Sequence, residues 1–97
     1  MSVEHTTTVG SNIFADLGFE PEEAVNLLVR AQLMRELSGI IKARFVTQED
    51  AATVLKVSQA RISDLHRGKI GRFTVDMLIN LLSRVGQAVE VHTKAVA

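Results

Sequence analysis

From Pro21 to Arg44 the apolar residues recur at three- and four-residue steps, through Ala24, Leu27, Leu28, Ala31, Met34, Leu37, Ile40 and Ile41. This period predicts one amphipathic helix of about twenty residues. Pro21 suits the first helical position, where no backbone donor is needed. Glu22 and Glu23 suit the positive end of the helix dipole, and Lys42 and Arg44 the negative end. Arg30, Arg35 and Glu36 are assigned to the other side. Phe45 and Val46 then lead into Thr47–Gly68, TQEDAATVLKVSQARISDLHRG, which holds two much shorter helical patterns. Thr47 can cap the first, with Asp50 three residues on as an acidic variant of the capping box. Ser58 can cap the second, Gln59 to Arg67, which Gly68 stops. Ala51, Leu55, Val57, Ile62 and Leu65 form the inward set. Val57 plugs the turn, while the small Ala51 and Ala52 allow the two helices to approach closely. Helices this short bury little alone, but a pair held at a sharp angle is a helix-turn-helix.

Beyond the pair, Gly71 and Phe73 lead to a cap at Thr74. A last helix follows through Val75, Leu78, Leu81, Leu82 and Val85, stopped by Gly86. Gln87 to His92 is a short β-favouring run with Val89 and Val91 on one face. A single strand leaves both edges unpaired, so this one needs a second copy or the Ile13–Phe19 segment beside it. That segment, with Ile13, Phe14, Leu17 and Phe19, is too apolar for a free tail. It reads either as a helical turn folded back on the core or as a docking segment for a partner protein. Residues 1–11 read as a disordered tail and residues 93–97 as a frayed end. The expected fold is mainly all-α: a bundle of four to five helices with a short C-terminal β-strand, forming a single domain over residues 12–92.

The chain of 97 residues is 46% hydrophobic, enough for one modest core. It has no cysteine, which removes disulfides and thiolate chemistry and fits a reducing compartment. No apolar run approaches the ~18 residues of a membrane span, so a cytoplasmic protein is the default expectation. The formal net charge is zero, but its distribution is uneven. Residues 1–24 carry Glu4, Asp16, Glu20, Glu22 and Glu23 and no cation. Residues 56–72 carry Lys56, Arg61, Arg67, Lys69 and Arg72 against the single carboxylate Asp64, a net of +4. That segregation creates a local positive field around the helix pair, suited to phosphate.

A recognition helix enters the major groove with its N-terminal residues at the base edges. Gln reads the N6/N7 edge of adenine and Arg the O6/N7 edge of guanine. The candidate DNA-binding residues are therefore Ser58 and Gln59, with Arg61 reaching a base or the backbone and Ser63 and Asp64 on the same exposed side. Gln48, opening the preceding helix, is placed for a phosphate, and Lys69 and Arg72 for the flanking backbone. Some of these have simpler uses: Ser58 as a cap alone, or Asp64 as a partner of Arg61 or Arg67. Enzymatic chemistry finds no constellation. His5, His66 and His92 are scattered without metal-ligand spacing, and there is no phosphate loop or nucleophile elbow. Neither catalytic residue, cofactor nor metal is expected.

The string TQEDAATVLKVSQARISDLHRGK resembles the lambda-repressor-like, XRE-family helix-turn-helix. Thr47, Gln48, Ala51, Val57, Ser58, Gln59, Ile62, Ser63, Leu65, Gly68 and Lys69 match that family's pattern. Lys56 stands where the family usually has glycine. A lysine can take the left-handed conformation there at about 1 kcal/mol. Over residues 12–92 the chain also resembles compact XRE proteins related to HigA-type antitoxins. That resemblance implies a homodimeric repressor of its own operon, bound to double-stranded operator DNA and to a small RelE-like RNA-cleaving toxin. Two other readings stay open: an interaction module whose main role is masking the toxin, and a stand-alone XRE regulator.

Overall fold

A computed structural model describes residues 12–95; the expectations for residues 1–11, His5 included, and for residues 96–97 lie outside them. Five α-helices follow in order: α1 Ile13–Asp16, α2 Pro21–Arg44, α3 Gln48–Leu55, α4 Gln59–His66 and α5 Val75–Arg84, with a 3₁₀ turn at Ile70–Arg72 before α5. The long helix starts without a side-chain cap on Glu20, so Pro21 and the first-turn acids Glu22 and Glu23 define its beginning. Its stripe of Ala24, Leu27, Met34, Leu37 and Ile41 is buried, while Leu28, Ala31 and Ile40 are half-buried at its margins.

One core joins every element from α2 onward. Phe73, Leu37, Leu55, Ile62, Leu78 and Leu82 are its largest fully buried side chains, drawn from α2, α3, α4, α5 and the loop between the last two. Burying each aliphatic or aromatic side chain of this size is worth about 1.5–3 kcal/mol, so the helix pair is held mainly by what it packs against. The expected inward set behaves accordingly: Ala51, Ala52, Leu55, Ile62 and Leu65 are buried, and Val57 packs half-buried against them. The Thr74 hydroxyl accepts from Met77 N at 3.1 Å and starts α5, whose Leu78, Leu81 and Leu82 face the core.

The N-terminal apolar segment is a single helical turn laid against the start of α2. Asn12 caps it by accepting from Phe14 N (2.9 Å) and Ala15 N (3.3 Å), and donates its own Nδ2 to Ala24 O at 3.2 Å. Phe14 and Phe19 meet edge-to-face, 6.2 Å between centroids. The turn still leaves Ile13 58% and Leu17 68% exposed.

The expected C-terminal strand is not formed: among the described residues there is no strand, and Gln87–His92 is irregular. Val89 packs against the core, whereas Val91 is 77% exposed, so the two do not share a buried face. The reason is the missing neighbour. A lone strand has nothing to pair with, and the Ile13–Phe19 segment, once capped by Asn12, is helical and offers no edge. Arg30 also departs from its expected place. It was assigned to the polar side of α2, yet Nη1 donates to Ile70 O and Phe73 O, both at 3.3 Å, and Nε to Asn26 Oδ1 at 2.8 Å. Three residues after Leu27 and four before Met34, Arg30 lies on the buried stripe itself.

Candidate nucleic-acid interface

The helix pair is built from short-range bonds that its own sequence dictates. The Thr47 hydroxyl accepts from Asp50 N at 3.1 Å and opens α3; the Ser58 hydroxyl accepts from Arg61 N at 3.0 Å and opens α4. Between them Lys56 takes the left-handed conformation, φ 59° and ψ 43°, which glycine adopts most readily. Its backbone N–H returns to Ala52 O, and Val57 N joins the same carbonyl at 3.1 Å. At the far end of α4, Gly68 takes φ 71°, and Lys69 N closes onto Asp64 O at 3.0 Å. Arg67 is the C-cap of α4, which ends one residue earlier than expected.

Two arginines from outside the pair fix it to the body of the protein. Arg84 Nη1, in the last turn of α5, donates to Leu55 O at 2.6 Å and satisfies a terminal carbonyl of α3. Arg30, from α2, holds both ends of the 3₁₀ turn that follows α4, as described above. Neither was found from the sequence. Arg30 had a signal in its position on the apolar stripe; Arg84 had only its place at a helix C-terminus, which does not name its acceptor.

The candidate DNA-binding residues fall into three groups. Ser58 and Gln59 stand exposed at the start of α4, and Gln48 is exposed at the start of α3. These are backbone and side-chain positions open to an approaching surface. Ser63 is half-buried further along α4, and Lys69 is half-buried just after Gly68. Arg61, Asp64 and Arg72 are instead tied to one another's loop. Arg61 Nη1 donates to Arg72 O at 2.7 Å, and its guanidinium lies 5.5 Å from the centroid of the Phe73 ring. Asp64, with its side chain only 15% exposed, pairs at 3.5 Å with Arg72, not with Arg61 or Arg67 as its sequence neighbours suggested. The loop after α4 thus comes within reach of the Asp64 carboxylate, which neighbours in sequence could not reveal. Arg61 and Arg72 therefore brace the segment that carries Lys69, and the 61% exposure of the Arg72 side chain leaves it open to a second partner.

His66, the last residue of α4, crosses to α2: its Nδ1 lies 2.6 Å from Ser38 Oγ. Burial first, and then the Lys42 ammonium, hold this imidazole below the ordinary histidine value. Among the described residues no group of three or more His, Cys, Asp or Glu side chains could hold a metal ion, and no helix is long and apolar enough to cross a membrane.

Two capped short helices, a left-handed turn between them and an exposed polar N-terminus on the second define a helix-turn-helix protein, a unit whose second helix reads DNA. The chain belongs to the helix-turn-helix domain family, whose model matches residues 13–94. No curated protein matches it.

Proposed function

We propose that the protein is a sequence-specific, non-catalytic DNA-binding repressor that acts as a homodimer in the cytoplasm, and that it is the antitoxin of a toxin–antitoxin pair controlling its own operon. The observation that carries the DNA-binding part is the exposed Ser58–Gln59 start of α4, flanked by exposed Gln48 and by Lys69 beyond Gly68. Gln59 offers an amide to an adenine edge, and Gln48 and Lys69 grip phosphate on either side. Supporting the homodimer is an apolar groove between α2, α5 and the C-terminal segment, lined in part by Val29, Leu33, Val75, Ile79, Val89 and Val91. A helix-turn-helix dimer is expected to meet two half-sites about one turn of DNA apart, ~34 Å. The test is a pair of variants. Gln59→Ala is expected to relax base preference, and Lys69→Ala to weaken all sequences alike and flatten the salt dependence by about one unit. Gln59→Ala with unchanged base preference would reject the assignment.

The antitoxin part rests on the resemblance to HigA-type proteins. A second reading, in which masking a RelE-like toxin is the main task, is favoured by the α1 region. There Ile13, Leu17 and Phe19 are exposed beside Asp16, Glu20, Glu22 and Glu23, an apolar and acidic surface suited to a basic RNase. Neutralisation of such an RNase that survives Leu17→Glu would exclude this surface. A neighbouring gene with no small basic product would leave a stand-alone regulator.

A further inference from the structure

The long helix α2 is not part of the helix-turn-helix, yet its C-terminal half borders the same side of the protein. Lys42 lines an open cleft of about 310 Å³ together with Phe45, Thr47, Gln48 and His66. Lys42 and His66 also line a second cleft, of about 340 Å³, with Arg35, Ser38 and Gly68. Sharing these two residues, the clefts form one groove that runs along α2 to the start of α3 at Gln48. Among the described residues no carboxylate side chain lines either cleft. Arg35 and Lys42 are exposed, and neither belongs to an ion pair among the described residues. A groove with two free cations, a histidine, two hydroxyls and an amide, and no acid, matches the inventory that holds a phosphodiester.

We propose that this groove is a second phosphate-binding site, in which Arg35 and Lys42 of α2 neutralise the DNA backbone next to Gln48 and His66 donates to it in its protonated form. The proposal rests on the DNA-binding reading above and extends it to an element outside the helix pair. The Ser38 hydroxyl, 2.6 Å from Nδ1, fixes the imidazole plane between the two helices.

The site links DNA binding to a proton. The charged groups that line the clefts with His66 are Arg35 and Lys42 on α2; Arg67 and the Arg72-paired Asp64 lie within two residues of it in sequence, and Glu49 and Asp50 follow Gln48 on α3. In the free protein burial and Lys42 keep His66 neutral near pH 7. A phosphate in the groove pairs with the imidazolium and offsets both the burial and the Lys42 repulsion, so binding takes up a proton and strengthens as pH falls.

Fluorescence anisotropy of the full chain on a labelled mixed-sequence duplex of about twenty base pairs, across salt and from pH 7.5 to 5.5, tests this, because phosphate contacts are sequence-independent. Lys42→Gln is expected to lower the salt slope by about one per chain bound, and Lys42→Arg to retain it. Wild-type affinity is expected to rise about tenfold as pH falls over this range, and His66→Gln to flatten that rise. Circular dichroism confirms that the variants are folded. An unchanged slope in Lys42→Gln, with a lowered slope in Lys69→Ala, overturns the groove and leaves the DNA-binding reading standing. A pH dependence that persists in His66→Gln overturns the role of His66. No duplex binding by the wild type overturns both readings together.

Discussion

Replacing Lys56 by glycine is expected to stabilise the protein. Lys56 is the only non-glycine residue with positive φ among the described residues, at φ 59° and ψ 43°. An L-residue pays about 1–2 kcal/mol for that conformation. Glycine adopts it freely, but its wider unfolded-state freedom gives back about 0.5–1 kcal/mol. The difference leaves a net gain of roughly 0–1.5 kcal/mol, equivalent to about 0–12 °C in Tm for a domain of this size. Little else changes, because the Lys56 side chain is exposed and belongs to no ion pair among the described residues. Thermal melting by circular dichroism measures the effect, with Lys56→Val as the opposite control, since a branched side chain resists positive φ most strongly. A Tm that falls in Lys56→Gly would refute the reasoning, because the turn would then not be carrying a left-handed cost.

Three further outcomes follow from the same structure. Phe73→Ala, at the centre of the core with 1% exposure, is expected to cost about 3–5 kcal/mol, a large part of the stability of a small domain, and a denaturant midpoint close to wild type would contradict its central place. Arg61→Ala is expected to lower Tm in the absence of DNA by the loss of the bond to Arg72 O and of the contact with Phe73, about 1–2.5 kcal/mol together; an unchanged melt would show that Arg61 does not brace the loop. Because the folded-state pKa of His66 is lowered, its contribution to stability is present above the unfolded histidine value and is lost as pH falls through the folded one. Chemical denaturation at pH 7.5 and 5.5 is expected to show this loss in the wild type and a smaller one in His66→Gln, and equal losses would exclude His66 as the source.

What was legible in the sequence was what short-range bonds determine. Thr47, Ser58 and Thr74 each accept from a backbone N–H three residues on, and such caps are written in local spacing. The burial of Ala51, Leu55, Ile62 and Leu65 followed from helical period in the same way. Long side chains were less legible, because their acceptors are set by tertiary approach. Arg30 reaches 40 and 43 residues ahead and Arg84 reaches 29 back, distances over which spacing carries no signal. Arg61 shows the consequence for the site. It sits on the expected exposed side of α4, but the loop after Gly68 folds under it and supplies Arg72 O and the Phe73 ring. The β-favouring residues 87–92 misled for a different reason: strand propensity describes a pleated, half-buried surface, and one copy of this chain offers no second strand to complete it.

A footprint on the DNA upstream of the protein's own coding sequence shows whether the exposed start of α4 reads DNA. At low-micromolar protein and moderate salt two protected half-sites about 34 Å apart are expected, with sequence discrimination at each weakened in Gln59→Ala. An unprotected fragment under those conditions would contradict it.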